Sequence, residues 1–139
     1  MCGIAGYIDS TGVKKSVLEA MSDEIIHRGP DGSGMYISPN GTVGFAHRRL
    51  SIIDLSERGA QPMSNEDGSI WITYNGEIYN FPAIKKYLVD KNHFFKSNSD
   101  TEVIIHAYEE WGIECVKRLN GIFAFAIYDM KKNMVFIGR

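Results

Sequence analysis

The apolar positions of this chain follow two periods, and together these lay out most of the elements. Directly after Met1-Cys2, the run Gly3-Ile4-Ala5-Gly6-Tyr7-Ile8 reads as a short buried strand, with two glycines where another backbone or a ligand could come close. Asp9-Ser10-Thr11-Gly12 reads as a turn. Val13, Val17, Met21 and Ile25 then recur every four residues, with Leu18 and Ile26 beside them, which predicts a helix over 13–26 packed on a sheet. His27 to Gly34 holds three glycines and a proline in eight residues and breaks that helix. Strands are expected over 34–38 and 42–47, joined at Pro39-Asn40-Gly41 as a hairpin. Ile70 to Tyr74 is a β-branched and aromatic strand running into the polar Asn75-Gly76-Glu77. Asn80 is placed to cap a helix over 81–91, with Pro82 tolerated in its first turn. A short strand is expected at 93–96. Ser99 and Glu102 then have capping-box spacing ahead of a helix that ends at Gly112. A short helix over 113–119 sets Cys115 in the core, and two strands, 122–128 and 134–137, form a final hairpin. The chain stops just past that last strand, which reads as a boundary inside a larger protein.

Composition narrows the class. The 139 residues suffice for one domain with a real core, and 44% hydrophobic with 23% charged residues is ordinary for a globular chain. A net charge of -2 without basic stripes gives no reason to expect nucleic acid or a membrane surface. No apolar run reaches the ~18 residues of a spanning helix, and the N-terminus lacks a signal-peptide pattern. Two cysteines make no disulfide framework, so a reducing cytoplasm is the expected location. The four histidines, His27, His47, His93 and His106, show no H-x-x-x-H or C-x-x-C pairing, which speaks against a metal site.

The candidate chemistry begins at Cys2. With Met1 removed, Cys2 carries a thiol and a free α-amine on one carbon, and the amine can take the thiol proton. The bland reading is an arbitrary second residue in a frayed terminus. Arg48-Arg49 beside an apolar run offers a guanidinium that could fork onto a substrate carboxylate or make a structural salt bridge. Asn75 supplies an amide donor, Gly76 an open backbone N–H and Glu77 a carboxylate. Two donors converging on one point make an oxyanion hole, although Asn-Gly is also a common turn. Asp100 falls in the first turn of its helix, where the helix dipole favours a carboxylate.

Taken together, Met1-Cys2-Gly3-Ile4-Ala5-Gly6, His27-Arg28-Gly29-Pro30-Asp31, Arg49-Leu50-Ser51-Ile52-Ile53-Asp54, Tyr74-Asn75-Gly76-Glu77-Ile78-Tyr79-Asn80 and Ser99-Asp100-Thr101-Glu102 resemble the class II glutamine amidotransferase domain. Within that group they are most similar to the glutamine-hydrolysing asparagine synthetases. The resemblance covers nearly the whole chain. It implies an α+β, N-terminal nucleophile hydrolase fold: two stacked antiparallel sheets flanked by helices, a four-layer αββα order, with further strands beyond Arg139. It also implies roles. Cys2 would be the nucleophile with its own amine as base. Asn75 and Gly76 would form the oxyanion hole, Arg49 would hold the glutamine α-carboxylate, and Glu77 and Asp100 would hold the α-amino group. The domain itself would need no cofactor. ATP and Mg belong to a C-terminal synthetase domain that would receive the ammonia and amidate aspartate. The expected partners are therefore glutamine and that domain, with a homodimer left open and neither nucleic acid nor membrane. Related amidating enzymes acting on sugar phosphates or surface-polysaccharide sugar acids, and a catalytically silent interaction module, are the alternatives.

Overall fold

The computed structural model describes residues 2–50 and 59–139. The expectations that fall on Met1 and on Ser51 to Asp54 lie outside the described residues. Strand β1 (Gly3–Ile8) is followed by helix α1 (Lys15–Glu24) and a 3-10 turn (Ile26–Arg28). Strands β2 (Gly32–Ile37) and β3 (Val43–Arg49) form the expected hairpin, and β1 pairs antiparallel with β3 on its other side. The second sheet is built from β4 (Met63–Ser64), β5 (Ile70–Ile78), β6 (Gly121–Asp129) and β7 (Met134–Gly138), all antiparallel in that order. Between β5 and β6 run α2 (Phe81–Asp90), α3 (Asp100–Trp111) and a 3-10 segment (Gly112–Arg118). No described helix is long and apolar enough to cross a membrane.

The layers follow from the strand period of two. On β5, Ile70, Ile72, Tyr74 and Ile78 turn to the helices and join the main core with Val103, Ile104 and Leu88. Each such aliphatic side chain contributes ~1.5–3 kcal/mol when fully buried. The alternate β5 residues face the first sheet: Trp71 stacks on Tyr36 with ring centroids 4.0 Å apart, and the Thr73 hydroxyl donates to the Ala46 carbonyl at 3.4 Å. Val43, Phe45 and Tyr128 fill the rest of the space between the sheets. Helix α1 covers the outer face of the first sheet, and α2 and α3 lie outside the second, giving the αββα order.

Several local expectations change. On α1, which ends at Glu24, the buried stripe centres on Leu18 and Ser22; Val17 on the helix and Ile26 in the 3-10 turn after it face solvent at 43% and 51% exposure. Four-residue spacing advances 400° on a helix with 100° per residue, so the run Val13-Val17-Met21-Ile25 drifts off any one face. Asn80 does not cap α2; its amide donates to the Arg118 carbonyl at 2.9 Å and its oxygen accepts from the Asn120 N–H at 2.9 Å, tying α2 to the start of β6. Ser99 does cap α3, accepting from the Thr101 N–H at 3.1 Å. Glu102, however, reaches past the cap to the Lys96 and Ser97 N–H groups, both at 2.7 Å. That carboxylate organises residues 93–97 as a loop, and the strand expected at 93–96 does not form.

Candidate active site

The site lies where the N-terminal end of β1, the C-terminal end of β3 and the second half of β5 meet between the two sheets. Cys2 immediately precedes the Gly3–Arg48 pair of the first sheet. Its sulfur accepts from the Leu50 N–H at 3.4 Å and lies 3.7 Å from the Leu50 carbonyl, so the backbone after β3 fixes it. β1 packs across the sheet interface against β5.

Asn75, Gly76 and Glu77 lie inside β5, not in a turn after it. All three pair with β6, opposite Ala124, Phe123 and Ile122. The difference is informative, because a strand sets the direction of every group. Asn75 and Glu77 share the face of Trp71 and Thr73, the one turned to the first sheet. The backbone N–H groups of even-numbered β5 residues turn to the edge away from β6. On that edge the Tyr74 N–H donates to Gln61 Oε1 at 2.7 Å and the Ile78 N–H to Asp100 Oδ2 at 3.0 Å. The Gly76 N–H points out between them, and no described strand pairs with that part of the edge. Glycine is required here by close packing: a Cβ at residue 76 would overlap the Ile122 carbonyl oxygen and lie 2.6 Å from the Phe123 Cα.

Asn75 adds a second polar group at the same place. Its Oδ1 is buried and has no hydrogen-bond partner. Buried side-chain polar atoms are nearly always paired, so an unspent one marks a group held for something other than the fold.

Asp100 sits at the start of α3 and is 7% exposed. Its Oδ2 accepts from the Tyr74 hydroxyl at 2.6 Å as well as from the Ile78 N–H. Burial first, then the Asp100 hydrogen bond and the negative charges of Asp100, Glu77 and Cys2, push the Tyr74 phenol far above its ordinary range. Tyr74 therefore stays protonated and acts as a donor. One Asp100 oxygen, Oδ2, is thus committed to β5. Glu77 is exposed on the opposite face of the strand. The two carboxylates thus flank the Gly76 edge from either side.

Of the two adjacent arginines, Arg48 makes the structural salt bridge: its Nε donates to the Ser22 carbonyl at 3.1 Å and its guanidinium pairs with Asp23, clamping α1 to β3. Arg49 lies on the inner face of β3, two residues from His47, and its carbonyl accepts from the Asp31 N–H at 3.0 Å. That bond, with the tight seat of Gly29 on the backbone of Arg48 and Arg49, explains why a Gly-Pro loop follows α1.

Two further residues near these groups were not singled out from the sequence. Tyr74 is the link between β5 and Asp100. His47, 1% exposed between the sheets, has both ring nitrogens without a hydrogen bond. Burial holds its pKa down at about 4, opposed by the nearby Tyr74 backbone, which favours the charged ring, and aided by Arg49, so it is neutral near pH 7. A histidine alternating with Phe45 and Val43 was the available signal.

The two-sheet, helix-flanked architecture with its cysteine at the head of β1 is that of the N-terminal nucleophile hydrolases. A glutamine phosphoribosylpyrophosphate amidotransferase from B. subtilis, solved with ADP and GMP, superposes with a TM-score of 0.66 over 93% of this chain and 35% of its own, at 21% identity. The glutamine amidotransferase domain family model matches residues 1–139, and the chain belongs to that family. It is 48% identical to asparagine synthetase [glutamine-hydrolyzing] 2 of Bacillus subtilis (strain 168), over all of this chain and 19% of that protein. It is 46% identical to asparagine synthetase [glutamine-hydrolyzing] 1 of Arabidopsis thaliana, over all of this chain and 24% of that protein. Amidase chry2 of Gibberella zeae is 38% identical over all of this chain and 22% of its own length. The chain thus spans about a fifth to a quarter of these relatives.

Proposed function

We propose that this domain hydrolyses glutamine to glutamate and ammonia through a thioester on Cys2, as the glutaminase half of a glutamine-dependent asparagine synthetase. The reading rests on Cys2 at the head of β1, its sulfur held by the Leu50 N–H, and on β1 packing against β5, whose Gly76 N–H faces the open edge beside Asn75; Cys2 lies near enough to Tyr74 to act on its phenol. Attack of the thiolate on the side-chain amide of glutamine puts negative charge on the amide oxygen. Asn75 and Gly76 supply donors for that oxyanion. Collapse of the tetrahedral species expels ammonia and leaves a γ-glutamyl thioester, which water cleaves to glutamate and free Cys2. Arg49 would fix the α-carboxylate, and Glu77 with Asp100 the α-amino group, so that the substrate is held at both ends of its zwitterion.

In this reading the ammonia passes to an ATP-dependent synthetase domain in the same longer protein, with aspartate as acceptor. The similarity to Amidase chry2 favours keeping a second acceptor class in view, because a relative under another name carries the same domain. The nucleophile is tested with the full-length protein. Cys2→Ala should fold normally and release no glutamate from glutamine, whereas glutamate release at the parent rate would overturn the assignment. The acceptor is read from the product formed with glutamine, ATP and aspartate: asparagine is expected, and glutamine turnover without asparagine would exclude aspartate.

A further inference from the structure

On the far side of the second sheet from Cys2, two imidazoles and a carboxylate converge between α3 and the loop after α2. His93 Nδ1 lies 3.3 Å from His106 Nδ1 and 3.4 Å from Glu109 Oε2, and His106 Nδ1 lies 2.7 Å from Glu109 Oε2. A tetrahedral ion with ligands at 2.0–2.1 Å sets them about 3.3–3.4 Å apart, so two of the three separations already match and the third needs a small opening. From these atoms we propose that His93, His106 and Glu109 form a divalent metal site of the zinc class.

The atoms around the cluster are arranged as a metal site's surroundings are. A ligating histidine usually turns its other ring nitrogen to a carboxylate, which fixes the tautomer. His93 Nε2 faces Glu110 Oε2 at 3.3 Å. His106 Nε2 has no hydrogen-bond partner, although the ring is only 1% exposed; it faces Glu66 and Glu102 oxygens at 3.6 and 3.9 Å. In the tautomer with N–H on Nε2, each ring presents its Nδ1 lone pair to the inner side. Asn65 Nδ2 donates to Glu109 Oε1 at 2.8 Å and aims Oε2 at the two rings. Without metal, a proton between His106 Nδ1 and Glu109 Oε2 accounts for their 2.7 Å separation. A single proton can bridge only one pair, whereas a metal ion satisfies all three.

His93 and Glu109 line an open cleft of about 510 Å³, so the ion has an entry path and a water can complete the tetrahedron. The site would be structural. It ties the loop carrying His93 to α3, the helix whose first residue, Asp100, braces β5. It is independent of the glutaminase reading.

The test is a Zn²⁺ titration of the full-length protein by calorimetry, with Co²⁺ absorption as the geometric readout. One Zn²⁺ per chain is expected, with tetrahedral Co²⁺ bands and a higher melting temperature when metal is present. His93→Ala removes a half-buried loop side chain, and Glu109→Gln keeps the shape of its residue. Each should weaken Zn²⁺ binding by about 100-fold or more and abolish the thermal shift, while Cys2→Ala should leave both intact. Absence of stoichiometric binding by the parent chain, or binding lost in Cys2→Ala and retained in His93→Ala, would overturn the proposal.

Discussion

Asn75 is half-buried, and its buried Oδ1 accepts no hydrogen bond, so that oxygen contributes little to holding the fold. Asn75→Ala should therefore cost little stability while lowering kcat for glutamine hydrolysis by ~10²–10³, the effect of removing one oxyanion donor. Steady-state kinetics distinguish this from a binding role, in which KM would rise at constant kcat. His47 makes a different kind of prediction. In the unfolded chain its ring titrates near 6.5, and in the fold only at about 4. Between those values the unfolded chain holds the extra proton, so the stability from keeping this ring neutral is complete above pH 6.5 and falls as pH drops towards 4. About 2 kcal/mol should be lost between pH 7 and pH 5, given 1.36 kcal/mol per unit. Denaturant titrations of the parent and of His47→Gln at the two pH values measure the difference, and the variant should show the smaller acid loss.

At the scale of elements, β5 organises the site. One strand presents its side chains alternately to helices and to the first sheet, and its N–H groups alternately to β6 and to the open edge. Much of this was legible: the β5 core, the hairpins, the Ser99 cap and the Gly112 stop are local signals of period and turn chemistry. The extension of β5 through Asn75-Gly76-Glu77 was not, because Asn-Gly is a turn signal locally and only pairing with Phe123 and Ala124 overrides it. Tyr74 was read simply as a strand residue, since nothing local shows that α3 will bring Asp100 within 2.6 Å of its hydroxyl. The His93–His106–Glu109 cluster escaped for a related reason. Spacing rules look for ligands on one turn, and these come from a loop and a helix that meet only in the fold. Gly76→Ala tests the reading of β5 directly. The added methyl has no space against Ile122 and Phe123, so β5 and β6 must part. A loss of about 3 kcal/mol or more, or failure to fold, is expected from overpacking of this kind, measured by thermal or urea denaturation.

At the scale of the whole molecule, the chain brings together segments far apart in sequence: the N-terminus, the end of β3, the middle of β5 and the start of α3. The first-sheet hairpin and α1 hold Cys2 and Arg49, while the second sheet and α3 hold the groups of β5 and Asp100. The two cysteines are set in opposite surroundings. Cys115 is fully buried, and burial pushes its thiol up to about 11, whereas Cys2 stands at the sheet interface beside Leu50. The chain therefore carries its own internal control for reactivity. The central claim is that the Cys2 sulfur, at a free N-terminus, carries the glutamyl group. The direct measurement is rapid acid quenching of the full-length protein turning over isotope-labelled glutamine, followed by peptide mapping by mass spectrometry. The account predicts one labelled glutamyl group on the peptide that begins at Cys2 and lacks Met1, with none on the Cys115 peptide. Turnover with no label on Cys2, or with label on Cys115 or on a peptide that still carries Met1, would contradict it.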